Sequence, residues 1–531
     1  MTIDQPSWTS LLDSALSRRT AVAGAAAAAV GGLAPSILGP VHAQDATPAP
    51  DAVPGGTLRV GVQGDPAELD PALVVLDAAS LIIDQVYEGL MHEDPSLVPQ
   101  PRLAESYEVS ADGLTFTFTL RQGVTFHNGR EMTADDVVYS INRVMDEATA
   151  SPWKEYTSSV ESLEAPDPST VVFHMKNPDA SFLAALCRRG LSVVPQEEVE
   201  ANGNLKQVMV GTGPFKFVDY IPNSMVTLEK NENYWLEGRP YLDGVEFQII
   251  PDDTARTTAL VSDTVDMIEA VPHKDILTLQ DAEGITLTGD QATNLRWIVF
   301  NVRNEPLNNR ELRRAIAEGI QRQPIIDTAV FGFGTPLYGV YPSDYWAGFE
   351  GDVPEGDPEA AAEAISQMAL PDGWVPGILT WGEYDFLANT SVVVQEQLNQ
   401  MGISSEIEPE ENATYLERHF SGDFDIAVMG AGGYIDPHDF LGQTMKTGGV
   451  TNAAGYSSEE MDALLEQGIV EQDQEARKAI YQQVQELIIE DVPWIMLYTS
   501  NTFEGMKSTV KGYTHSLSGS FAALRETWID G

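Results

Sequence analysis

A single cysteine, ten lysines and no apolar run of membrane-spanning length beyond the first forty positions set the limits of this 531-residue chain. Cys187 alone allows no intramolecular disulfide and no cysteine-based metal site. It follows the apolar Phe182 to Leu186 and precedes Arg188-Arg189, so it reads as a buried thiol. Lysine and arginine total 30 against 80 Asp and Glu, a formal charge of −50. Asp4 and Asp13 cancel Arg18 and Arg19, so the whole excess belongs to the chain beyond the N-terminal segment. Such a field repels nucleic acid and anionic lipid, which excludes both as partners. Low lysine with abundant carboxylate matches salty or acidic surroundings, and equally a surface made for solubility.

Catalytic constellations are missing too. There is no G-x-S-x-G, no H-E-x-x-H and no G-x-x-x-x-G-K-[ST], and Gly332-Phe333-Gly334 lacks the spacing of a dinucleotide loop. His419 and His438 are too far apart for a local metal pair and read as surface or core histidines. With eighty carboxylates, pairs arise by chance and carry no acid/base message. The expectation is a protein with no catalytic residue, cofactor or metal.

What is present begins with an address. Ser17-Arg18-Arg19-Thr20 precedes a weakly apolar run from Ala21 to Leu38, and Val41-His42-Ala43 offers small residues at the two positions a signal peptidase reads. Residues 1–43 therefore look like a twin-arginine export signal cut after Ala43. Gly31, Gly32, Pro35 and Pro40 interrupt the run and argue against a membrane anchor. Gln44 follows the cut, where a lipoprotein would present cysteine. Residues 44–56 read as a Pro/Ala linker. The remaining chain is too long for one core, and its strand and helix signals continue to the end, so a mixed α/β chain of two or three domains is expected.

The most informative stretch is Leu103 to Arg143. Leu114, Phe116, Phe118 and Leu120 alternate with Thr115, Thr117 and Thr119, the period-2 pattern of a half-buried strand entered through Asp112-Gly113. A hairpin over Val124 to Phe126, bracketed by Gly123 and His127-Asn128-Gly129, comes next. Thr133 with Asp136 forms a capping box for a helix burying Val137, Val138, Ile141, Val144 and Met145. Strands are also predicted at Thr57 to Val62, Thr170 to Met175, Gly377 to Thr380 and Phe424 to Met429, and a helix at Asn308 to Ile320 buries Leu312, Ile316 and Ile320.

In order along the chain, A-E-S, D-G, F-x-F-x-L-R, G-V-x-F-H-x-G and T-A-x-D-V resemble the pattern of the peptide/nickel (family 5) class of extracellular solute-binding proteins that feed ABC importers. Further pieces follow in family order: Gly211-Thr212-Gly213-Pro214-Phe215, Asn231-Glu232-Asn233-Tyr234-Trp235, Phe300-Asn301, Asp436-Pro437, Gly455-Tyr456-Ser457 opening a Ser457/Glu460 capping box, and Val492-Pro493-Trp494-Ile495. The resemblance spans residues 57–531. It implies a two-lobed, type II clamshell: lobe I from 57–88, 191–293 and 499–531, an extra subdomain at 89–190, and lobe II at 294–498. Leu295 to Phe300 and Trp494 to Tyr498 are strand-type apolar runs at the two expected crossings. The implied function is capture of a peptide or other small solute between the lobes by a monomer outside the cytoplasm, with the membrane permease of an ABC importer as partner. A signalling receptor on the same fold and a secreted hydrolase are the competing readings.

The resemblance places ligand contacts on loops. Gln63 and Asp65 lie in the loop after the first strand, where Asp70-Pro71 reads as a cap for the next helix. Trp381, Glu383 and Tyr384 follow the Gly377 strand, and Tyr434 and Asp436 follow the Phe424 strand. Trp381 and Tyr384 suit stacking and Glu383 suits a cation. One departure stands out. Peptide carriers of this class hold the ligand's ammonium with an Asp four residues before the Pro that is here Pro437, and that place is Gly433. Either Asp436 or Glu383 then anchors the ammonium, or the solute is no simple peptide and Tyr434, Trp381 and Tyr384 stack on it.

Overall fold

The computed structural model describes residues 41–42, 49–74, 77–432 and 434–531. Two long strands organise them. Ile285–Phe300 and Trp494–Lys507 run antiparallel, from Ile285 opposite Lys507 to Val299 opposite Trp494, with breaks in register between Gln291 and Leu295 and between Arg296 and Trp297. An eleven-stranded sheet grows from this pair in both directions. On one side lie Met267–Ile268, Thr57–Val62, Gly244–Ile249, Met225–Lys230 and Phe215–Ile221; on the other lie Ile426–Ala431, Gly377–Trp381 and Glu406–Glu410. Each side is one lobe of an α/β clamshell.

In the parallel pair Thr57–Val62/Gly244–Ile249 the residues Leu58, Val60, Val62, Val245 and Phe247 are fully buried, as in a sheet with covered faces, whereas the second-lobe edge strand Glu406–Glu410, parallel to Gly377–Trp381, is polar and only partly covered. Val60, Val62, Phe247 and Met267 pack with Ile82, Val86 and Phe215 in one lobe. In the other, Trp297 and Val299 face a core with Leu379, Met429 and Trp494, while Ile298 and Phe300 face one with Ile316, Ile326 and Leu398. That alternation is the period-2 geometry of a strand with helices on both faces.

A five-stranded sheet stands apart, ordered Val41–His42, Ala104–Val109, Thr115–Leu120, Thr170–Met175, Val160–Asp167. Its alternation is the predicted one: Phe116, Phe118 and Leu120 are buried with Phe173 and Phe182. The Ala134–Met145 helix packs on it through Val137, Ile141 and Val144, with Val138 and Met145 only partly covered. Asp136 accepts from the Thr133 amide at 2.9 Å, as the capping box requires. Val124 to Phe126 makes a single bridge, Thr125 to Glu131, in place of a full hairpin, because Phe126 closes directly onto the Arg130 carbonyl.

Three other readings shift. Ser458, not Ser457, caps the Glu459–Val470 helix through Met461 N; Ser457 instead meets the Thr447 hydroxyl at 3.0 Å. Asp70 caps the turn at 71–73 rather than a helix, and its buried carboxylate also takes Arg143 at 2.9 Å and Leu205 N at 2.9 Å. Cys187 is half-buried, its thiol donating to the Leu183 carbonyl at 3.4 Å. The export motif and residues 1–40 lie outside the described residues; Val41 and His42 pair with Tyr107 and Ser106. Among the described residues no helix is long and apolar enough to cross a membrane.

One buried carboxylate brings several of the scattered motifs together. Glu88 accepts from Arg102 Nε at 2.8 Å, Tyr234 OH at 2.8 Å, Trp235 Nε1 at 2.9 Å and Thr212 Oγ1 at 3.0 Å. Thr212 comes from the Gly-Thr-Gly-Pro-Phe motif, and Tyr234 and Trp235 from Asn-x-x-Tyr-Trp. Gly211 and Gly213 let this loop lie on the main chain of Gln85 and Val86, since a Cβ would sit 2.1 Å from the Val86 carbonyl in the first case and 2.5 Å from the Gln85 carbonyl in the second. His127 of the Phe-His-x-Gly motif closes the joint, its Nε2 3.0 Å from the Gly213 carbonyl oxygen. Glu88→Ala strands buried Arg102 without a countercharge and should lower unfolding stability by about 3–5 kcal/mol in urea titration. Trp235→Phe, which removes one donor, should cost only about 1–2 kcal/mol.

Candidate functional site

In the second lobe, the parallel strands Gly377–Trp381 and Ile426–Ala431 end at the level of Leu295 and Arg296, beside the break in the crossing strands. Loops leaving the carboxyl ends of such strands face a crevice, the usual place for a ligand in an open α/β sheet. Both second-lobe candidate loops leave from this edge.

Trp381 stacks on Tyr415 at 4.5 Å and 10° and meets Tyr384 edge-on at 5.5 Å; its indole Nε1 is buried without a hydrogen-bond partner. Tyr384 is 39% exposed, so its ring is available to a solute. Glu383 is exposed and accepts from Asn412 N at 3.1 Å. Tyr434 stacks on Phe440 at 4.3 Å, and Phe440 stacks on Trp494 at 5.3 Å. Asp436 is committed elsewhere: its two oxygens accept from Arg477 at 2.7 and 2.9 Å, and Oδ1 also caps His438 N at 2.9 Å. Gly433 lies outside the described residues. In the first lobe, the Gln63 amide donates to Glu269, and Asp65 accepts from Tyr220 OH and from the amides of Asn223 and Ala67. Burial raises the Asp65 pKa, but those hydrogen bonds outweigh it and hold the carboxyl below its usual range. The structure thus groups Trp381 with Tyr384 and sets Tyr434 by a separate aromatic wall, while Asp65 and Asp436 are spent on their own lobes.

A cavity of about 180 Å³ opens beside that wall, lined by Trp297, Met429, Tyr434, Phe440 and Trp494 of the second lobe and by Tyr156 of the subdomain opposite. Its lining is predominantly aromatic and apolar. Trp297 and Trp494 were inside the apolar runs read as crossings; period-2 alternation along Leu295 to Phe300 was the available sign that Trp297 and Val299 share a face. His419 borders the same cavity, 3% exposed and sandwiched between Tyr415 and Phe424 at 5.5 and 5.3 Å. Burial lowers its pKa to about 4.

Across the cleft, Arg188 Nη2 meets Asp439 at 2.7 Å with both side chains nearly covered. Nearby the Ala180 amide donates to the Ile469 carbonyl at 2.8 Å. The pair pulls two ways: Asp439 raises the Arg188 pKa, whereas burial, aided by Asp436, pushes Asp439 up to about 6 against the pull of Arg188. The 2.7 Å contact between the Arg188 guanidinium and the Asp439 carboxyl joins the subdomain to the second lobe in a closed arrangement.

Residues 98–452 match the model of the bacterial extracellular solute-binding proteins, family 5. The chain belongs to that family. It is a solute-binding protein of the class that serves ABC importers. Heme-binding protein A of Haemophilus influenzae is 28% identical over 88% of this chain and 91% of its own length. The oligopeptide-binding protein AppA of Bacillus subtilis is 28% identical over 90% and 92%. The solved structure of AgaA from A. tumefaciens R10 with agropinic acid matches with a TM-score of 0.79 at 29% identity, covering 90% of this chain and 99% of that one. Each of these relatives is described as a binding protein.

Two outcomes follow. Arg188→Ala leaves Asp439 buried without its countercharge only in the closed form, a penalty of about 3–5 kcal/mol; the ligand-free protein should expand in small-angle scattering, and Arg188→Ala/Asp439→Leu should restore compaction. For His419 the folded pKa lies below the unfolded one, so protons bind the unfolded chain as pH falls from about 6.5 to about 4. Stability present above that window should drop by about 3 kcal/mol across it, and His419→Phe should flatten that part of the profile in urea titrations.

Proposed function

We propose that this chain is exported by its twin-arginine signal, cut near Ala43, and acts as a monomeric receptor that loads an ABC importer with a small solute and breaks no bond. In this reading lobe I comprises 57–88, 191–293 and 499–531 with its subdomain at 89–190, lobe II comprises 294–498, and residues 44–56 tether them to the cut end. The observation that carries it is the cleft itself: two lobes joined by one strand pair, with candidate aromatic contacts and an ion pair at their junction. A solute touching both lobes stabilises the closed form by its differential affinity, and the permease reads that form.

Trp381, Tyr384 and Tyr434 are the best placed of the candidate contacts, because each offers ring surface at the crevice. Glu383 stays open to solvent, and Gln63 and Asp65 present the main chain of their loop. Asp436 is the least suited to holding an ammonium, because Arg477 and His438 N already occupy its oxygens. Gly433 offers no countercharge either, and a desolvated ammonium without one costs several kcal/mol. This supports a solute other than a peptide with a free N-terminus. Relatives of both kinds exist: one carries oligopeptides by name, another was solved with agropinic acid.

Native mass spectrometry of the protein purified from its own periplasm or culture medium should reveal a bound small molecule. At a hundred times its dissociation constant that solute should add about 2.7 kcal/mol to unfolding and compact the Arg188→Ala variant in solution scattering. Tight binding without compaction would reject closure. Sub-micromolar binding of unmodified peptides that is abolished by blocking their N-termini would reject the non-peptide reading.

A further inference from the structure

Seven arginines are buried among the described residues. Four face a carboxylate. Two others are held by backbone carbonyls beyond their own neighbours: Arg313 by three, those of Leu307, Asp491 and Val492, and Arg322 by two that share its Nε. Arg296 has neither arrangement. It is 8% exposed, its one hydrogen bond runs from Nη1 to the carbonyl of adjacent Leu295 at 2.8 Å, and its buried Nε has no partner. In a chain with 80 acidic side chains this is the wrong place for a cation to lack a carboxylate, unless the carboxylate comes from outside.

Arg296 sits on the crossing strand at the break in register, where the second-lobe strands end. Its guanidinium lies 4.5 Å from the Phe386 ring, at the first turn of the Asp385–Gln400 helix, whose N-terminus adds positive potential. Gly430 stands opposite in register, and a Cβ there would come within 3.0 Å of Arg296 Cδ, so glycine gives the side chain its room. From the first lobe, His273 is close enough for the arginine's charge to lower its pKa further than burial already does. Burial likewise draws Arg296 below the usual arginine range, opposed only by Tyr498 and Tyr434. Arg296 thus lies against the Phe386 ring just beyond the Trp381–Tyr384 loop, within electrostatic reach of Tyr434 in the second lobe and His273 in the first.

We propose that Arg296 is the anchor for a carboxylate of the solute, which makes small acidic molecules the ligand class. The inference rests on the solute-binding reading and inverts the charge logic of an ammonium anchor. The planar guanidinium fork would take the carboxylate in two parallel hydrogen bonds. Stacking on Phe386 fixes the plane of that fork before the ligand arrives.

The test uses the mature chain, Arg296→Gln and Arg296→Lys, and two fixed probe sets. The acidic set is succinate, glutarate, citrate and N-acetylglutamate; the control set is their methyl esters and C-terminally amidated dipeptides. Thermal unfolding and calorimetry should show binding of the acidic set, at least tenfold weaker in Arg296→Gln and partly kept in Arg296→Lys. Ligand-free Arg296→Gln should melt no lower than the parent, because a bare buried charge has gone. Binding of the control set that is unchanged in Arg296→Gln would overturn the proposal. So would a ligand-free Arg296→Gln that melts several degrees lower, since Arg296 would then be a packing residue. Silence toward both sets would count against the solute-binding reading, and the ligand-free melting would still decide the role of Arg296: unchanged or higher supports the anchor, lower rejects it.

Discussion

Everything in this molecule hangs on two chain segments that each pass from one lobe to the other side by side. Ile285–Phe300 and Trp494–Lys507 belong to one continuous antiparallel pair, yet their register breaks near the lobe junction. Ladder hydrogen bonds on either side of the break keep each lobe stiff, and the interruption removes them where bending is needed. The sheet therefore combines a continuous scaffold with one place where its ladder is interrupted. The candidate loops of the second lobe emerge at that same level, so a bend at the break would open or close the crevice they border.

Rigidity of the first lobe depends on a different device, the buried Glu88 carboxylate and its four donors. Short motifs more than a hundred residues apart in sequence meet there because each supplies a donor or the glycine that permits close approach. Their order along the chain was legible; their common destination was not, because a lone Glu between Tyr87 and Gly89 has no periodicity to announce that it is buried. Strands with strict alternation, such as Thr115–Leu120, and helices with clear caps, such as Ala134–Met145, could be read from local rules alone. Local rules failed by one residue at Ser457 and Ser458, where two adjacent serines compete for one cap and only tertiary contacts choose between them.

The cleft was legible as a set of loops but not as a set of contacts. Aromatic residues named in advance do gather at the second-lobe edge, since stacking surfaces follow the ends of strands. The acidic candidates fared differently: whether Asp436 is a ligand group or half of an internal ion pair depends on Arg477, forty-one positions away, which no motif connects to it. Arg296 was hidden for the opposite reason, as a single charge inside an apolar run that reads as an ordinary crossing strand. A buried polar residue within such a run is the informative anomaly.

The first lobe is stitched from both ends of the chain. Leu58 and Val60 share a core with Met506, Val510, Phe521 and Leu524, and Gln85 Nε2 reaches the Phe521 carbonyl across 436 positions. That core cannot close until the segment from Met506 to Leu524 has been made, whereas the second lobe draws its cores from one unbroken stretch from the first crossing strand to the second. Vectorial synthesis thus delivers a complete second lobe attached to an unfinished first one. Loop closure over so long a contour is slow relative to local contacts. The last residues of the chain act as the latecomers that convert a half-built molecule into a receptor, so a nascent or truncated chain lacks a first-lobe core even when every loop of the second-lobe crevice is already in place.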